Sequence, residues 1–259
     1  MSTSRLLWLL SIVLTLVFGG WQRVSGPTYP VSGRAVLAGH AFAWRLERTH
    51  AGPGDAHVSV RPDVPGAEAV LEWRVHDSGA AWSSRPMTRD GDALAGALAH
   101  QRPGGKLDYR VRVSAGGASV VLPPLGPAVL RFRNDVPAWV LVPHILAMMG
   151  ALMLSTRALL EAFRREPKLR LLTLRTIAAL FVGGFPLGWA VSGYAFGQPW
   201  GGFPLGNDPT DNKTLIAFLG WLVAGFAVFR LRSPRLWVAG AALLMLVVYL
   251  IPHSLAAPR

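Results

Sequence analysis

Residues 200–213 read WGGFPLGNDPTDNK, a polar segment rich in glycine and proline that separates two long apolar runs. It contains Asp208 and Asp211, and outside residues 22–136 the sequence has only two other acidic residues. Asp208 precedes a proline and lies three positions before Asp211, the pattern of a helix N-cap and its first turn. The segment therefore predicts a polar loop that ends where an apolar helix begins.

The composition is that of a membrane protein. Of 259 residues, 51% are hydrophobic and 15% charged, with a mean hydropathy of +0.35, whereas soluble domains have about 25% charged residues.

The formal net charge is +12. Basic residues bind nucleic acid when they gather on one soluble face. Here, however, ten of the twelve outside residues 22–136 flank apolar runs: Arg5, Arg157, Arg164, Arg165, Lys168, Arg170, Arg175, Arg230, Arg232 and Arg235. The excess positive charge therefore predicts membrane topology and contact with anionic lipid, and no nucleic-acid partner.

Five apolar runs are candidate membrane spans, at residues 6–21, 138–163, 171–196, 214–229 and 236–251. The positive-inside rule places Arg5 and the basic connections after the second and fourth runs in the cytosol. The segment between the first two runs, residues 197–213 and the C-terminus are then outside. Residues 1–22 are interpreted as an uncleaved transmembrane anchor, and a cleaved signal peptide is the alternative.

Residues 33–134 carry an all-β pattern. Short alternating segments such as AHVSVRP and LDYRVRVS are separated by Gly/Pro turn signals, which predicts an exported β-sandwich. The positions of Trp73, Trp82 and Tyr109 among these segments resemble a fibronectin type III or immunoglobulin-like domain. This resemblance implies a fold and no activity.

The third apolar run is interrupted by GGFPLG at residues 183–188. Pro186 lacks a backbone N–H, so it is expected to kink or break the helix. The same hexapeptide recurs at residues 201–206. We interpret the recurrence as coincidence in a region rich in these residues.

Two histidines provide a metal hypothesis. His144 has Met148 one turn later, and His253 follows the last apolar run, so the predicted topology places both histidines at the outer face. Such a set supplies axial ligands for haem or a His/Met site for copper. The competing interpretation is that the histidines form interfacial hydrogen bonds and that the methionine packs in the core. The chain has no cysteine, which excludes thiolate ligands and nucleophiles.

No common catalytic motif occurs, which favours a non-enzymatic role. The predicted partner- or ion-binding residues are Trp200, Asp208, Asp211, Asn212 and Lys213. The preferred function is a structural or accessory subunit of a membrane protein complex, with the sandwich and residues 197–213 as its binding surfaces. The alternatives are a haem or copper redox protein and a small-solute transporter with a broken helix.

Several stretches resemble a family of uncharacterised bacterial inner-membrane proteins. They are SGPTYPVSG at 25–33, VPAWVLVPHILAMM at 136–149, STRALLEA at 155–162, TDNKTLIAF at 210–218 and YLIPHS at 249–254. The resemblance covers nearly the whole chain and implies an architecture without an activity. The predicted organisation is an anchor at 1–22, a periplasmic β-sandwich at 33–134 and a four-helix transmembrane bundle at 137–254.

Overall fold

A computed structural model describes residues 3–250. The chain forms two compact units. One comprises Pro27–Asp135, and the other comprises the described residues of Met1–Gly26 and Val136–Leu255. The prediction of a mixed helical and β protein is confirmed.

The helical unit contains four helical segments that are long and apolar enough to cross a membrane, which indicates a membrane protein. They are α1 at Thr3–Ser25, α2 at Ala138–Ala162, the segment Leu169–Phe196, and α5 at Pro209–Arg230; a shorter apolar helix, α6, follows at Arg235–Leu250. Each begins or ends within a few residues of a predicted apolar run.

The helices pack through small residues around a few large side chains. Trp221 of α5 and Met245 of α6 are fully buried, and Ala217 and Ala224 line the same face of α5. Small residues let helix backbones approach closely, which is how helices associate in lipid. The opposite face of α5 leaves large apolar residues such as Phe226 exposed, as expected for a surface that meets lipid.

The Leu169–Phe196 segment is continuous. It consists of α3 at Leu169–Val182, one π-helical turn at Gly183–Leu187 that contains Pro186, and α4 at Gly188–Phe196. Pro186 therefore widens one turn where the sequence predicted a kink or break. In a π-helical turn the backbone hydrogen bonds join residues five positions apart, one more than in an α-helix. This change of pattern accommodates a residue that has no N–H to donate.

The β unit contains eleven strands in three sheets, and all pairs are antiparallel except β3 with β11. The strands are β1 Val31–Leu37, β2 His40–Leu46, β3 Thr49–Ala51, β4 Ala56–Val60, β5 Glu68–Val75, β6 Ser83–Pro86, β7 Thr88–Asp90, β8 Ala93–Leu98, β9 Lys106–Ala115, β10 Ala118–Leu122 and β11 Ala128–Arg133. The sheets are β1–β2, β4–β8–β7, and β3–β11–β9–β5–β6 with β10 also paired to β9.

One apolar core joins the three sheets. Leu46 of β2, Leu98 of β8 and Val111 of β9 all belong to it and are almost completely buried. From position 109 to position 115 of β9, buried and half-buried side chains alternate, because successive residues of a strand point to opposite faces. Tyr109 lies in this core and its hydroxyl donates to the carbonyl of Glu47 at 2.6 Å, which satisfies its polar end.

Candidate functional site

The loop between α4 and α5 ends at a capped helix. Asp208 Oδ1 accepts hydrogen bonds from the backbone N–H groups of Thr210 at 2.8 Å and Asp211 at 3.2 Å, and Pro209 occupies the first helical position. These bonds satisfy donors that a helix start otherwise leaves unpaired. The N-cap predicted from the Asp208 pattern is present.

Two side chains from the first turn of α5 reach back to the loop. Asp211 Oδ2 accepts the N–H of Gly201 at 2.7 Å. Asn212 Oδ1 accepts the N–H of Phe203 at 2.7 Å. Two of the residues predicted to bind a partner or an ion, Asp211 and Asn212, thus accept hydrogen bonds from the backbone of the loop.

The loop packs so tightly that it requires glycine at position 202. A Cβ atom there would lie 2.7 Å from Asp211 Cβ and 2.9 Å from Trp200 Cζ2. The Trp200 ring closes the same turn, since its Nε1–H donates to the carbonyl of Phe203 at 3.1 Å. The loop is thus compact, and the Trp200 ring and the first turn of α5 pack against it.

This conformation displays two apolar side chains. Phe203 is 67% exposed and Leu205 is 76% exposed, although both belong to a loop whose backbone is fixed. Sequence reasoning did not select either residue. The signal was available, because two large apolar residues in a glycine- and proline-rich segment have no helical or strand face on which to be buried.

Aromatic rings fix the loop to the π-helical turn. Trp200 stacks on Phe185 with ring centroids 5.8 Å apart, and Trp189 meets Trp200 edge to face at 6.5 Å. A shallow cavity of about 390 Å³ adjoins this group, lined by Trp189, Ala190, Gly193, Tyr194 and Pro199. The loop and α4 thus carry apolar and aromatic side chains, and we call Trp189, Tyr194, Trp200, Phe203 and Leu205 the aromatic face.

Lys213 is 7% exposed and lies near enough to Asp208 for electrostatic attraction. Lys213 thus occupies an internal position in the helical unit, and its binding role stays a prediction. A buried ammonium is stable only where it has partners.

The predicted metal site is only partly described. His144 is in α2, and its Nδ1 lies 2.9 Å from the carbonyl oxygen of Gly183 in the π-helical turn. Met148 Sδ lies beside the same glycine. His253 falls outside the described residues. Within residues 3–250, no group of three or more His, Asp or Glu side chains is placed to hold a metal ion, and the haem or copper hypothesis stays a prediction.

The β unit carries a charged face on β5 and β9. Glu72 forms ion pairs with Arg110 and Arg112, and the Trp82 ring lies against the guanidinium groups of Arg110 at 4.3 Å and Arg74 at 4.8 Å. Burial by itself would raise the pKa of the Glu72 carboxyl, but hydrogen bonds from the two arginines outweigh it and hold that pKa below its ordinary value.

Comparison with known proteins adds no relative. No protein-family model matches the chain, and no curated protein is similar enough to be counted as related. The structure defines a class, a membrane protein with a β-rich unit between its first and second helices.

Proposed function

We propose that the protein is a non-enzymatic accessory subunit of a membrane protein complex, and that it binds its partner through the aromatic face. In this proposal the protein lies in a bacterial inner membrane as a four-helix bundle with an N-terminal anchor. The β unit is a fibronectin-like sandwich on the periplasmic side, as is the loop of residues 197–213.

The observation that carries the proposal is that the loop of residues 197–213 has a hydrogen-bonded backbone but exposes large apolar side chains. Asp211 and Asn212 immobilise the loop, while Phe203 and Leu205 stay exposed. A loop that only dips into lipid needs no defined conformation. A loop that docks into a protein gains affinity from preorganisation, because little conformational entropy remains to be lost on binding.

The chemistry of the face supports a protein partner. Tryptophan and tyrosine dominate binding hot spots because they bury a large area with few rotatable bonds. Trp189, Tyr194 and Trp200 lie on or beside the cavity next to the loop. An apolar helix or loop of a second membrane protein fits a surface of this kind.

The test is photo-crosslinking in native membranes, with a photoreactive phenylalanine analogue placed at Phe203. We expect one crosslinked protein species of defined mass, and we expect it to disappear when Asp211→Ala loosens the loop. The same analogue at Leu125 is the control, since Leu125 is 79% exposed but lies in the β unit.

A second arm uses co-purification in mild detergent. The double variant Phe203→Ser, Leu205→Ser should no longer co-purify with the partner that crosslinking identified. The Leu125→Ser variant should still co-purify with it. Crosslinking to lipid alone, or equal recovery of the partner with all variants, would refute the proposal.

A further inference from the structure

A cavity beside the C-terminal end of α2 is lined by six charged side chains of the helical unit. It has a volume of about 950 Å³ and is lined in part by Trp8, Arg157, Glu161, Arg164, Arg165 and Lys168. With Glu166 also in the lining, four basic side chains face two carboxylates. We call it the basic cavity. Its volume is that of a site for a drug-sized molecule, ~300–1,000 Å³.

Arg157 is the unusual residue of the basic cavity. Its side chain is 4% exposed, and neither its Nε nor its Nη1 has a hydrogen-bond partner among residues 3–250. A buried guanidinium donor is costly to leave unpaired, and native structures pair nearly all such groups. The Arg157 guanidinium therefore lacks a well-aligned hydrogen-bond acceptor among the described residues.

Glu161 does not supply that acceptor. One of its oxygens lies 2.7 Å from Arg157 Nη1. The other lies 3.2 Å from Arg164 Nη1 and accepts the backbone N–H of Lys168 at 3.0 Å. Both oxygens are committed, so Glu161 orients the basic groups and leaves their remaining donors for a ligand.

The apolar side of the basic cavity favours an amphipathic ligand. The Trp8 ring lies 5.4 Å from the Arg157 guanidinium carbon, which holds α1 over the cavity. Leu171 and Leu172 also belong to the lining, and Leu171 is 56% exposed. A ligand with an anionic head and an apolar tail would satisfy both parts.

We propose that the basic cavity binds a phosphate-bearing anion, and that its source is the headgroup of an anionic phospholipid. Arginine and lysine donors form strong charge-assisted hydrogen bonds with phosphate oxygens. Basic pockets between transmembrane helices are suited to anionic headgroups for the same reason. The inference concerns a different site from the aromatic face and does not depend on the proposed function.

The test measures the thermal stability of the full-length protein in a neutral detergent. Dioleoyl phosphatidylglycerol, dioleoyl phosphatidylcholine and inorganic phosphate are titrated separately. We expect phosphatidylglycerol to raise the unfolding temperature in a saturable manner, with little effect from phosphatidylcholine. Stabilisation by inorganic phosphate at similar concentrations would identify a free anion as the ligand and refute the lipid source.

The matched variants remove two basic residues each. Arg164→Gln with Lys168→Gln changes the rim of the basic cavity, and the apparent affinity for phosphatidylglycerol should fall roughly tenfold. Arg230→Gln with Arg232→Gln removes two exposed arginines outside the cavity lining, and the affinity should stay within about twofold. Equal losses in the two double variants would show general surface attraction and overturn the site.

A third variant tests the buried arginine. Arg157→Lys keeps the positive charge but removes Nε, so binding should weaken while the protein still folds. If this variant does not fold, the rim variants decide the question. Native mass spectrometry of the wild type supplies an independent readout, and retention of phosphatidylglycerol by the Arg164/Lys168 variant at the wild-type level would contradict the proposal.

Discussion

Asp211 Oδ2 accepts the backbone N–H of Gly201 at 2.7 Å, across ten positions of the chain. The bond joins the first turn of α5 to the start of the loop that precedes it. Asn212 Oδ1 likewise accepts the backbone N–H of Phe203. The first turn of α5 therefore holds the backbone of the loop at two points. The shape of the aromatic face thus depends on two adjacent polar side chains.

Asp211→Ala should loosen the loop. The variant leaves the Gly201 N–H without its acceptor, at a cost of about 1–2 kcal/mol. Hydrogen exchange followed by mass spectrometry should show about tenfold faster exchange of the loop amides. Asn207→Ala is the control, since Asn207 is an exposed polar residue of the same loop. Unchanged exchange in Asp211→Ala would show that the loop is held by other contacts.

Asp208→Ala should destabilise the helical unit by about 0.5–2 kcal/mol, because it removes the N-cap of α5. Asp208→Asn keeps the capping oxygen and loses only the favourable charge at the helix N-terminus, worth about 0.3–1 kcal/mol. Thermal unfolding in detergent should therefore rank wild type, Asn and Ala in descending stability. An alanine variant as stable as wild type would mean that the cap adds nothing.

Gly184→Ala should destabilise contact between the π-helical turn and α5. A Cβ at Gly184 would lie 2.5 Å from Thr214 Cγ2, so the helices must separate, at about 1–3 kcal/mol. Thr214→Ser removes that methyl and keeps a hydroxyl for the bond to the Thr210 carbonyl. The double variant should therefore recover most of the stability lost by Gly184→Ala.

Gly150→Ala is the control for this cycle. Gly150 lies in α2 with open space where a Cβ would be, so alanine should be neutral or stabilise by about 0.5–1 kcal/mol. Thermal unfolding of the four variants provides the measurement. If Thr214→Ser does not rescue Gly184→Ala, the close approach of these two residues is not the cause of the loss.

The β unit should lose stability in acid through Glu72. Its folded pKa lies below the ordinary value of 4.5, so its stabilising contribution is complete above pH 4.5 and is lost as the pH falls through the folded pKa. Glu72→Gln should be less stable than wild type at pH 7, and the difference should shrink below pH 4.5.

Circular dichroism of the β-sheet signal during thermal unfolding, at pH 7 and at pH 3.5, measures this difference. Glu68→Gln is the matched control because Glu68 is an exposed residue of the same strand. A difference between wild type and Glu72→Gln that stays constant with pH would mean that the arginine pairs do not stabilise the ionised carboxyl.

Local chemistry made part of the structure predictable. Apolar runs long enough to cross a bilayer became the helices of one unit, and period-two alternation became the strands of the other. The Asp208-Pro209 pattern located the start of α5 because a cap needs only neighbouring residues. The sequence did not reveal that Asp211 and Asn212 accept hydrogen bonds from the loop, because the donor N–H groups are ten and nine positions away.

The GGFPLG hexapeptide shows that a local sequence does not always determine the local conformation. At residues 183–188 it forms a π-helical turn and the first residue of α4, and at residues 201–206 the same letters form a loop. The sequence by itself determined the apolar lengths, the basic flanks and the α5 cap, since each follows from residues close together in the chain. The tertiary structure decided the conformation of the hexapeptide, the exposure of Phe203 and the burial of Arg157. These features depend on contacts with distant segments, whose approach no local pattern encodes.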